Sequence, residues 1–353
     1  MTVQAASATS VPADRRARLS AFQEARGRAG AWLLAHLNSD GSMGDPRQGY
    51  HFYRAPWTFS LLGETEAASA VCGWIRRNML TRDGRIDGPF RVFSDAWAYR
   101  DSALIVGAQM AGQYDLSHGL MPELLRWQDP VSGGYANDRM ADGSMGDDQS
   151  IPYAAGPGFA CLATGNLVEA RAVYHFLRRI FEAQRSLPDR FYYDWSRARQ
   201  APTIDFEQER RFWYVVENQA DLLQRWTIGG IAAGFLCRLY LAEPVDAYLA
   251  LARQYQAFSM SATDAQFKYG PVCKSGWGSS LLYEITGEPG YEAWTYRMGD
   301  WFAAEQHPDG YWPIKGDGAE LGNLIHNALE FAMHVDTIIA GLTSRPIPDA
   351  PAA

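Results

Sequence analysis

The strongest constraint on this chain is that it repeats itself. A short turn recurs at 61–68 (LLGETEAA), 110–119 (MAGQYDLSHG), 163–170 (ATGNLVEA), 241–250 (LAEPVDAYLA) and 285–293 (ITGEPGYEA). Each joins an apolar segment to an amphipathic one, and glycine at such a junction suits the left-handed residue that closes a helix. A second turn follows the amphipathic segments: NSDGSMGD (38–45), TRDGRIDGP (81–89), QDPVSGGY (128–135) and QHPDGYWP (306–313). The hexapeptide DGSMGD occurs at 40–45 and again at 142–147, an offset that fits two repeats.

Both kinds of segment read as helices. Val173, Phe176, Leu177, Ile180 and Phe181 follow the i, i+3, i+4, i+7 spacing of a surface helix, as do Tyr291, Trp294, Met298, Trp301 and Phe302. Thr227 to Leu241 is apolar almost throughout apart from Arg238, and Ala103 to Ala111 apart from Gln109, as expected of helices buried on every side. Inner segments are expected near 52–63, 97–112, 150–164, 217–241, 272–286 and 319–342. Outer segments follow near 65–80, 115–128, 167–186, 246–260 and 289–306. The last inner segment lacks a following partner, and a helix near 13–37 supplies it if the ring closes. Strands should be few. The expectation is an all-α chain: a single (α/α)6 barrel of six inner and six outer helices over 13–343, with flexible ends at 1–12 and 344–353.

Composition narrows the function. The 353 residues are 47% hydrophobic and carry a net charge of −8 without a basic tract, which argues against nucleic acid as partner. No apolar run approaches a membrane span, and the first residues lack an apolar signal core, so a cytoplasmic protein is expected. The four scattered cysteines form no CxxC pair. The 12 Trp, 18 Tyr and 16 Phe either fill a large core or line a ligand cavity.

Gln306, Pro308, Asp309, Gly310 and Trp312 resemble the end of a repeat in the α/α-toroid superfamily, which includes terpenoid cyclases, protein prenyltransferases and the six-hairpin (α/α)6 enzymes. Trp127, Gln128, Gly133 and Gly134 resemble a degenerate second copy. The resemblance spans roughly 13–342 and implies the barrel, while its motifs mark helix ends rather than chemistry. Of the acidic DxDD box of squalene-type cyclases, only Asp147 and Asp148 have counterparts here. For the zinc site of prenyltransferases, Cys273 and His326 are the nearest candidates, without the spacing. No phosphate-binding loop, dinucleotide fingerprint, HExxH or GxSxG appears, and no cofactor or metal is expected.

The long connections, 38–51, 81–96, 129–149, 187–216, 261–271 and 307–318, all join outer to inner segments. They should lie at one end of the barrel, above the inner N-termini, where function usually sits. Residues expected there to bind substrate are Tyr50, His51, Tyr53, Arg54, Trp57, Trp97, Asp147, Tyr153, Trp213, Glu217, Asp221, Trp277, Asn323 and Glu330. Glu217, Asp221 and Arg225 would stack on one helical face. Asp101, Asp148 and His326 are the proton-transfer candidates: carboxylates in different environments split into acid and base, and histidine titrates near neutrality.

Two chemistries fit. One is a cofactor-independent lyase, isomerase or cyclase acting on a largely apolar small molecule, such as a terpenoid- or polyketide-like intermediate. The succession of helix pairs is similar to linalool dehydratase-isomerase, although the closely spaced cysteine pair associated with that family is missing. The other is a hydrolase or lyase for an unsaturated or uronic sugar. Asp101 with Asp147 or Asp148 is similar in placement to the two aspartates of unsaturated glucuronyl hydrolases, and Asn323, His326, Tyr53 and Arg54 are similar to the residue set of polysaccharide lyases of this fold. A non-catalytic binding barrel is the third reading. The partner is a small molecule, with room left for a homo-oligomer.

Overall fold

The protein is described by a computed structural model covering residues 10–45, 53–86, 97–313 and 320–345. Twelve α-helices alternate along these residues. The inner ones are α2 (Ala55–Leu62), α4 (Trp97–Met110), α6 (Ile151–Thr164), α8 (Thr227–Ala242), α10 (Lys274–Thr286) and α12 (Leu321–Thr343). Each packs against the next, and α12 returns to α2, so the inner ring is closed. The outer helices are α1 (Ser10–Ala35), α3 (Thr65–Asn78), α5 (Tyr114–Leu125), α7 (Leu167–Glu182), α9 (Asp246–Ser261) and α11 (Pro289–Glu305). Helix α1 lies against α12 and α11 and fills the remaining outer place. The fold is an (α/α)6 barrel.

The local reasons match the repeats. The inner helices α2, α6 and α10 end on Gly63, Gly165 and Gly287, each with positive φ, which only glycine adopts without strain. The turns after outer helices α5 and α11 serve a different purpose. Gly133 and Gly310 each press against the next outer helix. A Cβ there would lie 2.1 Å from the carbonyl oxygen of Ala172 and 2.4 Å from that of Arg28, respectively. The recurring motif is therefore a clasp between consecutive outer helices. In both copies of DGSMGD the aspartate accepts bonds from the serine two residues on: Asp40 from Ser42, Asp142 from Ser144.

Two long connections carry short strands. β1 (Asp148–Ser150) pairs antiparallel with β3 (Asp194–Ser196), which pairs with β4 (Ala201–Pro202). β2 (Arg190–Tyr192) pairs with β5 (Val215–Glu217). The fourth inner helix starts later than its sequence suggests, at Thr227. Gln224 is the cause. Its side chain accepts from the Glu217 backbone N–H at 2.8 Å and donates to the Glu217 carbonyl at 3.0 Å, closing 217–224 into a loop. Glu217, Asp221 and Arg225 therefore share no helical face. No helix among the described residues is long and apolar enough to cross a membrane.

Candidate active site

The floor of the barrel is aromatic. Trp277 of α10 stacks on Phe159 of α6 at 4.5 Å, and Trp57 of α2 meets their edges at 5.8 and 6.2 Å. These rings come from alternate inner helices and fill the axis. Burying such a side chain contributes roughly 1.5–3 kcal/mol, so the floor belongs to the core as much as to the site.

Above the floor two cavity lobes meet at Tyr153, Trp213 and Arg225, which line both. The first lobe, about 300 Å³, is walled mostly by apolar atoms and bordered by Tyr53, Tyr99, Lys274 and His326. Behind it lies a buried charge cluster. The Glu330 carboxylate on α12 receives both the Arg54 guanidinium and the Lys274 ammonium. Arg54 also donates to the Tyr99 hydroxyl at 3.2 Å. His334, one turn beyond Glu330, lies 3.5 Å from its Oε1. Burial, then Arg54 and Arg225, outweigh Cys273 and press the Lys274 ammonium down to about 8. Burial, with Lys274 and Arg54 beside it, holds His334 far below the usual imidazole range, so it is neutral.

The second lobe, about 400 Å³, contains Asp148 and Asp194 with Asn137, Tyr214, Arg210 and Arg225. β1 and β3 set the two carboxyls on neighbouring strands, because Asp194 pairs with Ser150 in the register that places Asp148 opposite Ser196. Tyr214 donates to Asp148 at 3.2 Å. Asp194 is 1% exposed and receives Asn137 at 3.1 Å and the Thr203 hydroxyl at 3.0 Å. Burial above all, and the nearby Asp148 charge, hold its carboxyl well above the usual carboxylate range. The lobe thus holds a carboxyl that keeps its proton to unusually high pH next to a second one, the environment split that acid–base chemistry requires.

The sequence-expected residues fall into groups. Tyr53, Tyr153, Trp213, Asp148 and His326 line the lobes. His326 lies 5.7 Å from the Tyr53 ring. Arg54 and Glu330 form the buried cluster, and Trp57 and Trp277 the floor. Asn323 is half-buried on the first turn of α12 and borders neither lobe. Tyr50 and His51 lie outside the described residues.

Five residues are placed elsewhere. Asp101 lies one turn from Trp97 and so shares its face of α4, while Tyr99 between them points into the barrel. Asp101 is buried against Arg100 at 2.7 Å, and Trp97 packs on Trp127 beneath Arg139. Both therefore face the outer layer and not the central cavity. Glu217, on a strand, pairs with Arg190 and Arg211, and Asp221 is exposed beside Lys268. Asp147 fastens the β1–β3 corner, accepting from Ser196 at 2.6 Å and the Ala198 N–H at 2.7 Å.

Among the lobe residues outside the expected set, Lys274 and Asp194 bear most on the chemistry. Lysine is scarce here, at three (Lys268, Lys274, Lys315) of the 32 basic residues, and that scarcity was a usable signal. Asp194 sits in a segment without periodicity and gave none.

Cys273, Glu330 and His334 bring a thiol, a carboxylate and an imidazole within 4.8 Å of one another. Arg54 and Lys274 already occupy that carboxylate, and their charge opposes a metal ion there.

No family model and no curated protein sequence matches the chain. Solved structures do. A D-mannose isomerase superposes with a TM-score of 0.67 at 15% identity, over 90% of this chain and 96% of its own. The type II terpene cyclase MstE from Scytonema, bound to geranylgeranyl dihydroxybenzoate, gives 0.61 at 13%, over 93% and 100%. A GH76 alpha-mannanase from Bacteroides thetaiotaomicron gives 0.59 at 13%, over 89% and 94%. At these identities the likeness establishes the α/α-toroid fold and nothing finer.

Proposed function

We propose that the protein is a cofactor-independent enzyme of the lyase or isomerase type, cyclases included. It works by acid–base catalysis on a largely apolar small molecule held across the two lobes. The carrying observation is the pairing of Asp194, whose carboxyl is held by burial well above the usual carboxylate range, with Asp148 in a lobe that opens onto an apolar one. Asp194 is the general acid and Asp148 the base. His326 and Tyr53 orient the substrate above the Trp57, Phe159 and Trp277 floor. The similarity of fold to a terpene cyclase and an isomerase supports an enzyme of this broad kind.

A sugar substrate is the second reading. It is favoured by the polar lobe, in which the carboxyls of Asp138, Asp148 and Asp194 and two arginines share a wall with Tyr214, itself stacked on Phe206 at 5.0 Å. The fold likeness to a mannose isomerase and a mannanase points the same way.

The test is a turnover screen in deuterated buffer against unsaturated terpenoid alcohols, polyketide-like ketones, aldoses and unsaturated uronates. Nuclear magnetic resonance follows new signals and deuterium uptake. Asp194→Asn and Asp148→Asn should each cost ~10²–10⁴ in rate, while Asp101→Asn keeps the rate per folded molecule. Full activity in both lobe variants sinks the assignment. Turnover of sugars alone transfers it to the second reading.

A further inference from the structure

The buried cluster has an arithmetic that the acid–base pair does not use. One carboxylate, Glu330, faces two cations, Arg54 and Lys274, while the adjacent His334 is neutral and the Cys273 thiol is held protonated by burial. Arg225, across the same lobe, adds positive charge. One positive charge is therefore in excess in a wall where charge is poorly solvated. Arginine does not give up its proton in proteins, so relief has to come from Lys274.

The choice of residue points the same way. This chain carries 29 arginines and only three lysines among its 32 basic positions. At the one cationic position that borders the apolar lobe from α10, it uses the side chain that can become a neutral amine. An arginine would have answered Glu330 with a better-matched fork. The Lys274 side chain is only 7% exposed, yet it borders the lobe, so the amine is reached through the cavity.

We infer that Lys274 is a nucleophile that forms an imine with a carbonyl-bearing substrate in the apolar lobe. This rests on the reading of the cavity as an active site, and narrows the substrate class to aldehydes and ketones. The Nζ lone pair makes the C–N bond to the carbonyl carbon. The carbonyl oxygen takes both amine protons, one by way of the Glu330 carboxylate, and leaves as water, so the product is a C=N bond to Lys274. Once protonated, that imine acidifies the neighbouring C–H, the proton an isomerase or lyase must move.

The experiment uses the full chain, with benzaldehyde as probe and sodium cyanoborohydride as trap at pH 8, followed by peptide mass mapping. Asp221 holds the Lys268 ammonium charged and makes Lys268 the internal reference. The Lys274 peptide should gain its benzyl adduct at least about tenfold faster than the Lys268 peptide, because far more of its amine is unprotonated. In 8 M urea the preference should vanish. Lys274→Arg should remove that adduct and leave the one on Lys268. Equal labelling of the two lysines in the folded protein overturns the inference. So does suppression of the Lys274 adduct by millimolar acetate or phosphate, which would make the excess charge an anion site. Where Lys274→Arg fails to fold, the folded-against-urea comparison on the natural chain decides alone. Asp194→Asn should label like the natural chain, so loss of turnover and loss of labelling are separable failures.

Discussion

The two lobes of the barrel mouth are built from different material. The apolar lobe owes its charges to the inner helices α10 and α12, the residue just before α2 and Arg225 in the loop before α8, and there cations outnumber the carboxylate. The polar lobe is built largely from β1, β3 and the loops around them, and its lining carries three carboxyls and two arginines. In one, burial above all, with Arg54 and Arg225 beside it, presses an ammonium down to about 8. In the other, burial above all, and then the nearby Asp148 charge, raise a carboxyl well above the usual carboxylate range. Burial thus moves both groups toward their neutral forms, the ammonium downward and the carboxyl upward. A scaffold element fixes such a group by periodicity, whereas a loop fixes it by hydrogen bonds such as those from Asn137 and Thr203 to Asp194.

The largest expected effect separates the lobes by stability. Glu330→Gln leaves Arg54 and Lys274 buried without a counter-charge and should cost about 3–5 kcal/mol in urea unfolding at pH 7. Asp194→Asn replaces a group whose charged form burial already disfavours, and the Thr203 hydroxyl can reverse to accept from the new amide. Its cost should be about 1 kcal/mol. Equal losses in the two variants would show that the charge imbalances do not differ as described.

The same contrast governs what the sequence could reveal. Near-continuous apolar stretches between recurring turns located all six inner helices, and glycine marked the ends of α2, α6 and α10 because each glycine answers one local demand. Of the residues expected at the mouth, Tyr53 and His326 border the apolar lobe, Arg54 and Glu330 stand behind it, and Trp57 and Trp277 form the floor. The sequence pattern erred over Glu217 and Asp221, because the two hydrogen bonds between Gln224 and Glu217 break the helix expected there, and no local pattern announces that pairing. Asp101 was misplaced by half a turn: position along α4 was legible, but which face met the cavity depended on the packing of Trp97 against Trp127. Asp194 was invisible for a deeper reason. Its neighbours Asp148, Asn137 and Thr203 come together only through the β1–β3–β4 register, which is set by non-local pairing.

The next effect is the pH dependence of stability, and its sign is opposite in the two lobes. The Asp194 carboxyl rises in the folded state above its ordinary 3.8, so the folded protein holds the extra proton. The stability this gives is complete below 3.8 and is lost as pH rises through the folded value. The Lys274 ammonium falls from 10.5 to about 8, so the unfolded chain holds the extra proton between those values. Its contribution is complete above 10.5 and is lost as pH falls toward about 8. Each group can change stability by at most about 1.4 kcal/mol per pH unit. The natural chain minus Asp194→Asn should give a urea-stability difference that declines from pH 3.8 upward. The natural chain minus Lys274→Met should give one that climbs between about 8 and 10.5. Flat difference curves would mean that neither lobe shifts its group.

The smallest effect concerns an ion pair of the same chemistry as Lys274–Glu330 in a different setting. Lys268 and Asp221 meet at the surface with side chains 60% and 53% exposed. Water already solvates both charges there, so their attraction is weak and holding two mobile side chains together offsets much of it. Asp221 also borders neither lobe, although its place in the sequence suggested a substrate contact. Asp221→Asn should therefore leave the urea midpoint unchanged within error at low and high salt alike, with the rate per folded molecule equal to that of the natural chain. The pair serves as the control for Glu330→Gln, since residue types are nearly matched and burial is the variable. A stability loss comparable to that of Glu330→Gln would mean that burial is not what distinguishes the two pairs. A tenfold fall in rate with normal stability would place the 217–226 loop in the working site and extend the polar lobe outward to include it.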